Sequence, residues 1–257
     1  VARFTWQIRA DGQRKSEHVR RLLDVGIWDS GSPYMASEFL EGRDLPEWLR
    51  RRGALAESQA VDFVIQACDA LAEAHSLGIV HRDIKPSNLF ALERPGVEAS
   101  IKLLGWDISW KLESEATNQK SADSRPEGPT VEARAFVGSS CYMPPEQCES
   151  APNLDVRADI WALGVTLCEL VTGHVPFEGT SLRQLYSAMT AGQPLRLRER
   201  FPPLSAGLEA VILKCLERER ANRFPNVAEL AGALLEFGSD RSKPLVDQIC
   251  SMTKRNS

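Results

Sequence analysis

His81-Arg82-Asp83-Ile84-Lys85-Pro86-Ser87-Asn88 is the stretch on which the reading of this chain turns. It places a carboxylate, an ammonium and a carboxamide on one short segment. Asp83 is a candidate general base, Lys85 can neutralise a transferring phosphate, and Asn88 can offer a carbonyl oxygen to Mg2+. Phosphoryl transfer depends on positioning and charge stabilisation, and a base, a cation and a metal ligand side by side supply both.

The flanks set this loop between regular elements. Upstream, Val61, Val64, Ile65, Cys68, Leu71 and Ala72 recur at spacings of three and four, which predicts an amphipathic helix over 57–77, with Gly78 as its stop signal. A short β-like piece, Ile79-Val80, leads into the loop, and 100–104 reads as another strand. Further upstream, 19–28 and 33–40 read as two strands around the turn Asp29-Ser30-Gly31-Ser32. Residues 44–52 form a short helix with Asp44 as N-cap and Gly53 just past its end. Residues 1–15 read as a weak helix, with Asp11 and Gly12 in its middle.

Downstream, 113–134 holds almost nothing apolar and reads as a flexible loop. Residues 155–173 are apolar nearly all round, the pattern of a helix buried on every side. Further helices fit 181–191, 206–218 and 227–237, and the polar tail from Gly238 is expected to fray. Strands near the start and helices after them predict an α+β fold ending in a helical bundle.

Bulk properties exclude whole classes. The chain has 257 residues, with 31 Lys and Arg against 35 Asp and Glu, a net charge of −4. That balance excludes bulk electrostatic binding of nucleic acid as the main activity. Hydrophobic residues at 43% and charged residues at 26% exclude disorder of the whole chain. No stretch approaches 18 apolar residues, so no membrane span is expected, and the first residues carry charge where a signal peptide needs an apolar run. Cysteines at 68, 141, 148, 168, 215 and 250 show no C-x-x-C spacing. Neither a disulfide framework nor a zinc site is expected, and a reducing, cytoplasmic setting fits.

HRDIKPSNLF at 81–90 resembles the catalytic loop of eukaryotic-type serine/threonine protein kinases. CYMPPE at 141–146 is similar to the end of the activation segment in that family. DVRADIWALGVTLCELVTGHVPF at 155–177 resembles the buried central helix of its C-lobe, and CLERERANRF at 215–224 its late Arg-containing segment. The phrases LLDVG, FLEGRDL and YMPPEQ are nearest the bacterial branch. The resemblance covers about residues 1–237. It implies a protein-kinase-like fold with a partial N-lobe over 1–40, reduced to one helix and two strands. A mainly helical C-lobe over 41–237 follows, with a long activation segment at 105–146, and then the polar tail at 238–257.

The resemblance also implies a site for ATP and Mg2+ and a protein partner or substrate. Asp83 would be the base, Lys85 would meet the γ-phosphate and Asn88 would hold Mg2+. Glu38 and Leu40 would offer backbone groups to adenine, with Ser37 as gatekeeper and Leu89 beneath the ring. Asp44 would reach the ribose, with helix capping the equally good reading. Glu146 would pair with Arg223, and Asp159 would cap the backbone of the catalytic loop.

Three departures from the family pattern bear on function. Leu103-Leu104-Gly105-Trp106-Asp107 stands where the family has its Asp-Phe-Gly, so Gly105 takes the place of the Mg2+-binding Asp. Losing a charged ligand there costs on the order of 4 kcal/mol, about a thousandfold in rate. Asp107, two residues on, is a candidate replacement ligand. Secondly, neither a Gly-rich loop nor its partner Lys is present, and Gln7 replaces the Glu that would pair with that Lys. Thirdly, Asp11 lies where an apolar side chain normally packs. In the long segment, Thr117, Ser121, Ser124 and Thr130 are candidate phosphate acceptors or plain solvated hydroxyls, and Ser139 stands for the Thr that contacts the catalytic Asp and Lys.

These departures imply a catalytically impaired kinase-family domain, a pseudokinase acting in binding or scaffolding. The alternative is an active ATP- and Mg2+-dependent serine/threonine kinase whose N-lobe lies outside this sequence. A non-functional remnant is the third reading.

Overall fold

The structure, a computed structural model, describes residues 16–94, 96–106, 110–111, 140–149, 154–191 and 197–255. The helix expected over 1–15, with Gln7 and Asp11, lies outside them. So do Asp107, Ser139 and the four hydroxyl residues of the long segment.

The first strands are β1 (Leu22–Ile27) and β2 (Pro33–Ser37), an antiparallel hairpin in which Ile27 faces Pro33. Its turn closes through Trp28 N–H to the Ser32 carbonyl at 2.9 Å and Gly31 N–H to the Trp28 carbonyl at 2.8 Å. Both strands are shorter than the sequence pattern predicts. A second sheet has the order β3-β5-β6: β3 (Gly42–Asp44), β5 (Leu89–Arg94) and β6 (Val97–Leu103), all antiparallel. β3 and β5 were not legible beforehand. Gly42-Arg43-Asp44 is too short to show a period, and Leu89 to Arg94 does not alternate cleanly. The pair β4 (Ile79–Val80) and β7 (Trp110–Lys111) flanks the loop, again antiparallel.

Helix α1 (Leu45–Arg52) follows β3 directly. The Asp44 carboxylate accepts the Glu47 N–H at 2.8 Å, and Gly53 N–H closes the other end on the Leu49 carbonyl. Glu47 in the first turn and Arg50, Arg51 and Arg52 in the last complement the helix dipole. Helix α2 (Glu57–Ser76) is the axis of the larger lobe, with Val61, Val64, Ile65, Cys68 and Leu71 at most 1% exposed.

After the short α3 (Pro145–Cys148) comes α4 (Arg157–Thr172), buried along almost its whole length and closed by Gly173 in the left-handed conformation. No helix among the described residues is long and apolar enough to cross a membrane. α5 (Leu182–Ala191), α6 (Leu197–Arg200), α7 (Ala206–Cys215) and α8 (Val227–Leu234) complete the bundle as the pattern predicts, α6 excepted. Close packing of α4 on α7 needs Gly164, where a Cβ would lie 2.4 Å from that of Cys215.

Glu146 at the start of α3 is tied to the far end of the lobe. Both of its carboxylate oxygens accept from the Arg223 guanidinium, at 2.7 and 2.9 Å. The Arg223 side chain has no exposed surface and lies 4.9 Å over the Trp161 ring. Trp161 in turn stacks on Phe177. Three carbonyls, of Arg157, Glu217 and Arg218, take the remaining guanidinium protons.

The tail corrects an expectation. Residues 238–255 do not fray: α9 (Ser242–Arg255) packs on α2 and α8, burying Val246 and Ile249. The Asp62 carboxylate accepts Ser239 N–H and the Ser242 hydroxyl at its start, and Gln248 donates to Asp69 at 3.2 Å. Polar composition hid an apolar stripe of Leu245, Val246, Ile249 and Met252, spaced for one helix face.

Two stability measurements follow. Ile249→Ala should cost about 2–5 kcal/mol in urea unfolding, the range for a buried aliphatic, whereas a frayed tail would give no change. Arg223→Ala should cost about 3–5 kcal/mol, because it leaves the Glu146 carboxylate and three carbonyls without their donor.

Candidate active site

The loop after β4 is held from beneath by one carboxylate. Asp159, in the first turn of α4, has no exposed surface. It accepts the His81 N–H at 2.9 Å, the Arg82 N–H at 2.8 Å and the His75 Nε2 proton at 2.8 Å. Burial alone would raise its carboxyl, but His75, His81 and the backbone amides outweigh burial and hold it below the usual range. Arg82 sits at φ 71°, the left-handed region that costs a non-glycine residue about 1–2 kcal/mol. The bond from its N–H to Asp159 keeps it there.

His81 carries the next tie. Its Nε2 lies 2.8 Å from the Leu104 carbonyl, and its Nδ1 accepts the Asp83 N–H at 3.2 Å. The two partners assign the proton to Nε2. Its ring meets Trp106 edge-on at 4.4 Å, and Trp106 Nε1 donates to the Leu103 carbonyl. The loop thereby carries a fixed relation to the strand end that bears Gly105.

Asp83, Lys85 and Asn88 come together in one hydrogen-bonded cluster. Lys85 Nζ is 2.8 Å from one Asp83 oxygen. Asn88 Nδ2 donates to the other oxygen at 2.8 Å and to the Asp83 carbonyl at 2.6 Å. Gly105 lies against this cluster at φ 78°. A Cβ built on it would fall 2.4 Å from Asn88 Nδ2, 2.5 Å from Cγ and 2.8 Å from Oδ1. The Asn88 amide thus stands where an aspartate side chain at 105 would begin.

The residues expected to hold a nucleotide divide. Ser37 and Gly105 line one small cavity of about 20 Å³ with Leu22, Met35, Leu104 and Trp106, room for about one water. The Glu38 carboxylate bonds Lys102 Nζ at 2.6 Å and Arg21 N–H at 2.7 Å, and its own N–H donates to the Arg21 carbonyl. Burial raises this carboxyl, and those donors more than reverse it. Leu40 is half-buried on the way into β3. Asp44 is engaged as the cap of α1.

Leu89 is a correction. Its side chain is 0% exposed and faces the core, so no ligand can rest on it. Side chains alternate along a strand, and the half-buried Phe90 presents the opposite face. Sequence reading also gave no role to His75 and His81. The loop motif contains His81, and His75 lies one turn before Gly78, but neither position announces its partner.

Gly105 has no side chain to offer a cation, both Asp83 oxygens are engaged by Lys85 and Asn88, and no group of three or more His, Cys, Asp or Glu that could hold a metal occurs among the described residues.

Asp159→Ala should cost about 3–5 kcal/mol, since it strips two buried N–H groups and His75 of their acceptor. In the parent chain the carboxyl is depressed in the folded state. Its contribution is present above about pH 4 and is lost as pH falls further. Urea unfolding of both proteins from pH 7 to pH 3 should show the gap narrowing toward acid.

Comparisons with known proteins agree with this geometry. The protein kinase domain family matches residues 8–232. The serine/threonine-protein kinase Pkn1 of Myxococcus xanthus is 35% identical over 234 residues, 91% of this chain and 32% of that protein. Its namesake pkn3 from the same organism is 33% identical, over 92% of this chain and 42% of that protein. PknB of Mycobacterium tuberculosis is 29% identical, over 82% of this chain and 32% of that protein. The chain therefore spans roughly a third to two fifths of the length of these relatives. Among solved structures, the Rad53 kinase domain with SCD2 superposes with a TM-score of 0.73 at 21% identity, covering 97% of this chain and 86% of that one. The same domain in complex with AMPPNP gives 0.68 at 22%, covering 89% and 77%. With the α+β fold, the loop capped by Asp159 and the Glu146–Arg223 tie on the same residues, this chain belongs to the protein kinase family, in its bacterial branch of eukaryotic-type serine/threonine kinases.

Proposed function

We propose that this chain is a catalytically impaired member of the family, a kinase-fold domain that binds or scaffolds a protein partner. Gly105 carries the reading: at the position of the acidic Mg2+ ligand it offers no side-chain oxygen. ATP with Mg2+ would supply the transferred phosphoryl group in this family. Here Asp83 would accept a hydroxyl proton with Lys85 as the cation beside it, but no carboxylate stands at 105 to hold a cation against the phosphates.

A protein partner fits the helical lobe. Between α3 and α5 lies a groove of about 650 Å³ lined by Met143, Cys148, Leu182, Leu185, Tyr186 and Met189. Its mixed apolar and polar walls suit a polypeptide segment. The six free cysteines support a reducing, cytoplasmic setting.

A second reading is an active serine/threonine kinase in a longer protein. The intact, bonded Asp83–Lys85–Asn88 cluster favours it. On that reading Asp107 replaces the lost Mg2+ ligand.

Incubation of the whole natural protein that carries this chain with radiolabelled ATP, Mg2+ and a general Ser/Thr protein substrate separates the two. Incorporation should equal that of Asp83→Asn within error. Robust incorporation that Asp83→Asn abolishes would overturn the proposal, and its loss in Asp107→Ala would assign the metal to Asp107.

A further inference from the structure

Gly105 and Asn88 bear a relation that the loss of a metal ligand does not by itself require. A deleted carboxylate ordinarily leaves a gap that the same carboxylate can refill. Here the gap is filled. The Asn88 amide lies 2.4–2.8 Å from the point where a Cβ at 105 would stand, well inside contact distance. A distal amide on a loose side chain would swing aside at little cost, but this one is pinned. Its Nδ2 holds the Asp83 carbonyl and carboxylate at 2.6 and 2.8 Å. Its backbone is pinned as well, in the 3-10 turn Pro86–Asn88, by Asn88 N–H to the Lys85 carbonyl and by Leu104 N–H to the Asn88 carbonyl.

We infer that Gly105 and Asn88 form a coupled steric pair, in which the Asn88 amide that braces Asp83 occupies the space a side chain at 105 would need and Gly105 is required to make room for it. The left-handed φ of 78° at 105 is one that glycine adopts without strain and that Asp tolerates better than most residues. Backbone conformation is therefore not the main bar to an aspartate there; the Asn88 amide is. Gly105→Asp then does not restore a metal site. The new side chain either pushes Asn88 off Asp83 or is itself pushed out of register. The inference deepens the reading of the site as unfit for Mg2+ and does not depend on whether the chain transfers phosphate.

The test is a double-mutant cycle on the whole chain, read by thermal melting with and without millimolar Mg2+. Gly105→Asp and Asn88→Ala should each lower Tm by roughly 2–8 °C. The double variant should lose clearly less than the two single losses added, because alanine at 88 vacates the space that the aspartate needs. Mg2+ should leave the Tm of Gly105→Asp where it was. Should Gly105→Asp not fold, Gly105→Ala serves in the same cycle. Its backbone strain is common to both backgrounds at 88 and cancels. Additive losses would overturn the inference, as would a Gly105→Asp variant as stable as the parent or one whose Tm rises with Mg2+. The phosphate-transfer assay on the parent chain is independent. Activity there would overturn the proposed function and leave this coupling standing, while additivity here would do the reverse.

Discussion

The Asp159 carboxylate, sealed under the loop that follows β4, is the constraint on which the rest of the site depends. A buried charge persists only when its lone pairs are met, and here three donors meet them. Two of these are backbone N–H groups of consecutive residues, His81 and Arg82, so the carboxylate dictates backbone shape rather than merely attracting a side chain. That shape includes the left-handed turn at Arg82. It delivers the His81 ring to the Leu104 carbonyl and sets Asp83 beside Lys85 and Asn88. The location of Asp159 in the first turn of a long buried helix adds the favourable end of the helix dipole.

Seen from this anchor, the lobe is assembled by a small number of polar ties set in a large apolar core. Glu146–Arg223 joins the short helix α3 to the turn before α8. Asp62 and Asp69 on α2 receive the start and the middle of α9. Each tie is buried or half-buried, and in the Glu146–Arg223 pair every guanidinium proton is met, which is the condition under which a buried charge is tolerated. Between them, the apolar faces of α2 and α4 supply the bulk of the burial, and the ties select which packing of those faces is adopted.

The catalytic loop is a hydrogen-bonded unit in which Asp83, Lys85 and Asn88 hold one another. The Asn88 Nδ2 is directed at Asp83, and position 105 beside it carries no side chain. The network satisfies itself, so retention of Asp83, Lys85 and Asn88 has a structural reason as well as a chemical one.

The sequence by itself determined the long helices and the loop. The spacing of three and four along 57–77, the all-round apolar run at 155–173 and the residues 81–88 are local patterns, and local patterns survive without knowledge of the neighbours. The Asp159 cap and the Glu146–Arg223 pair were legible only through the family resemblance, since nothing in the spacing of residues 77 or 78 positions apart marks them as partners. The tertiary structure alone decided three things. It turned Leu89 into the core and Phe90 out, because a one-residue difference in phase reverses a strand's faces. It converted the polar tail into α9, because four apolar residues on one helix face suffice once α2 offers a surface to receive them. And it set the Asn88 amide into the space beside Gly105, a contact between two loops whose distance in space no one-dimensional pattern carries.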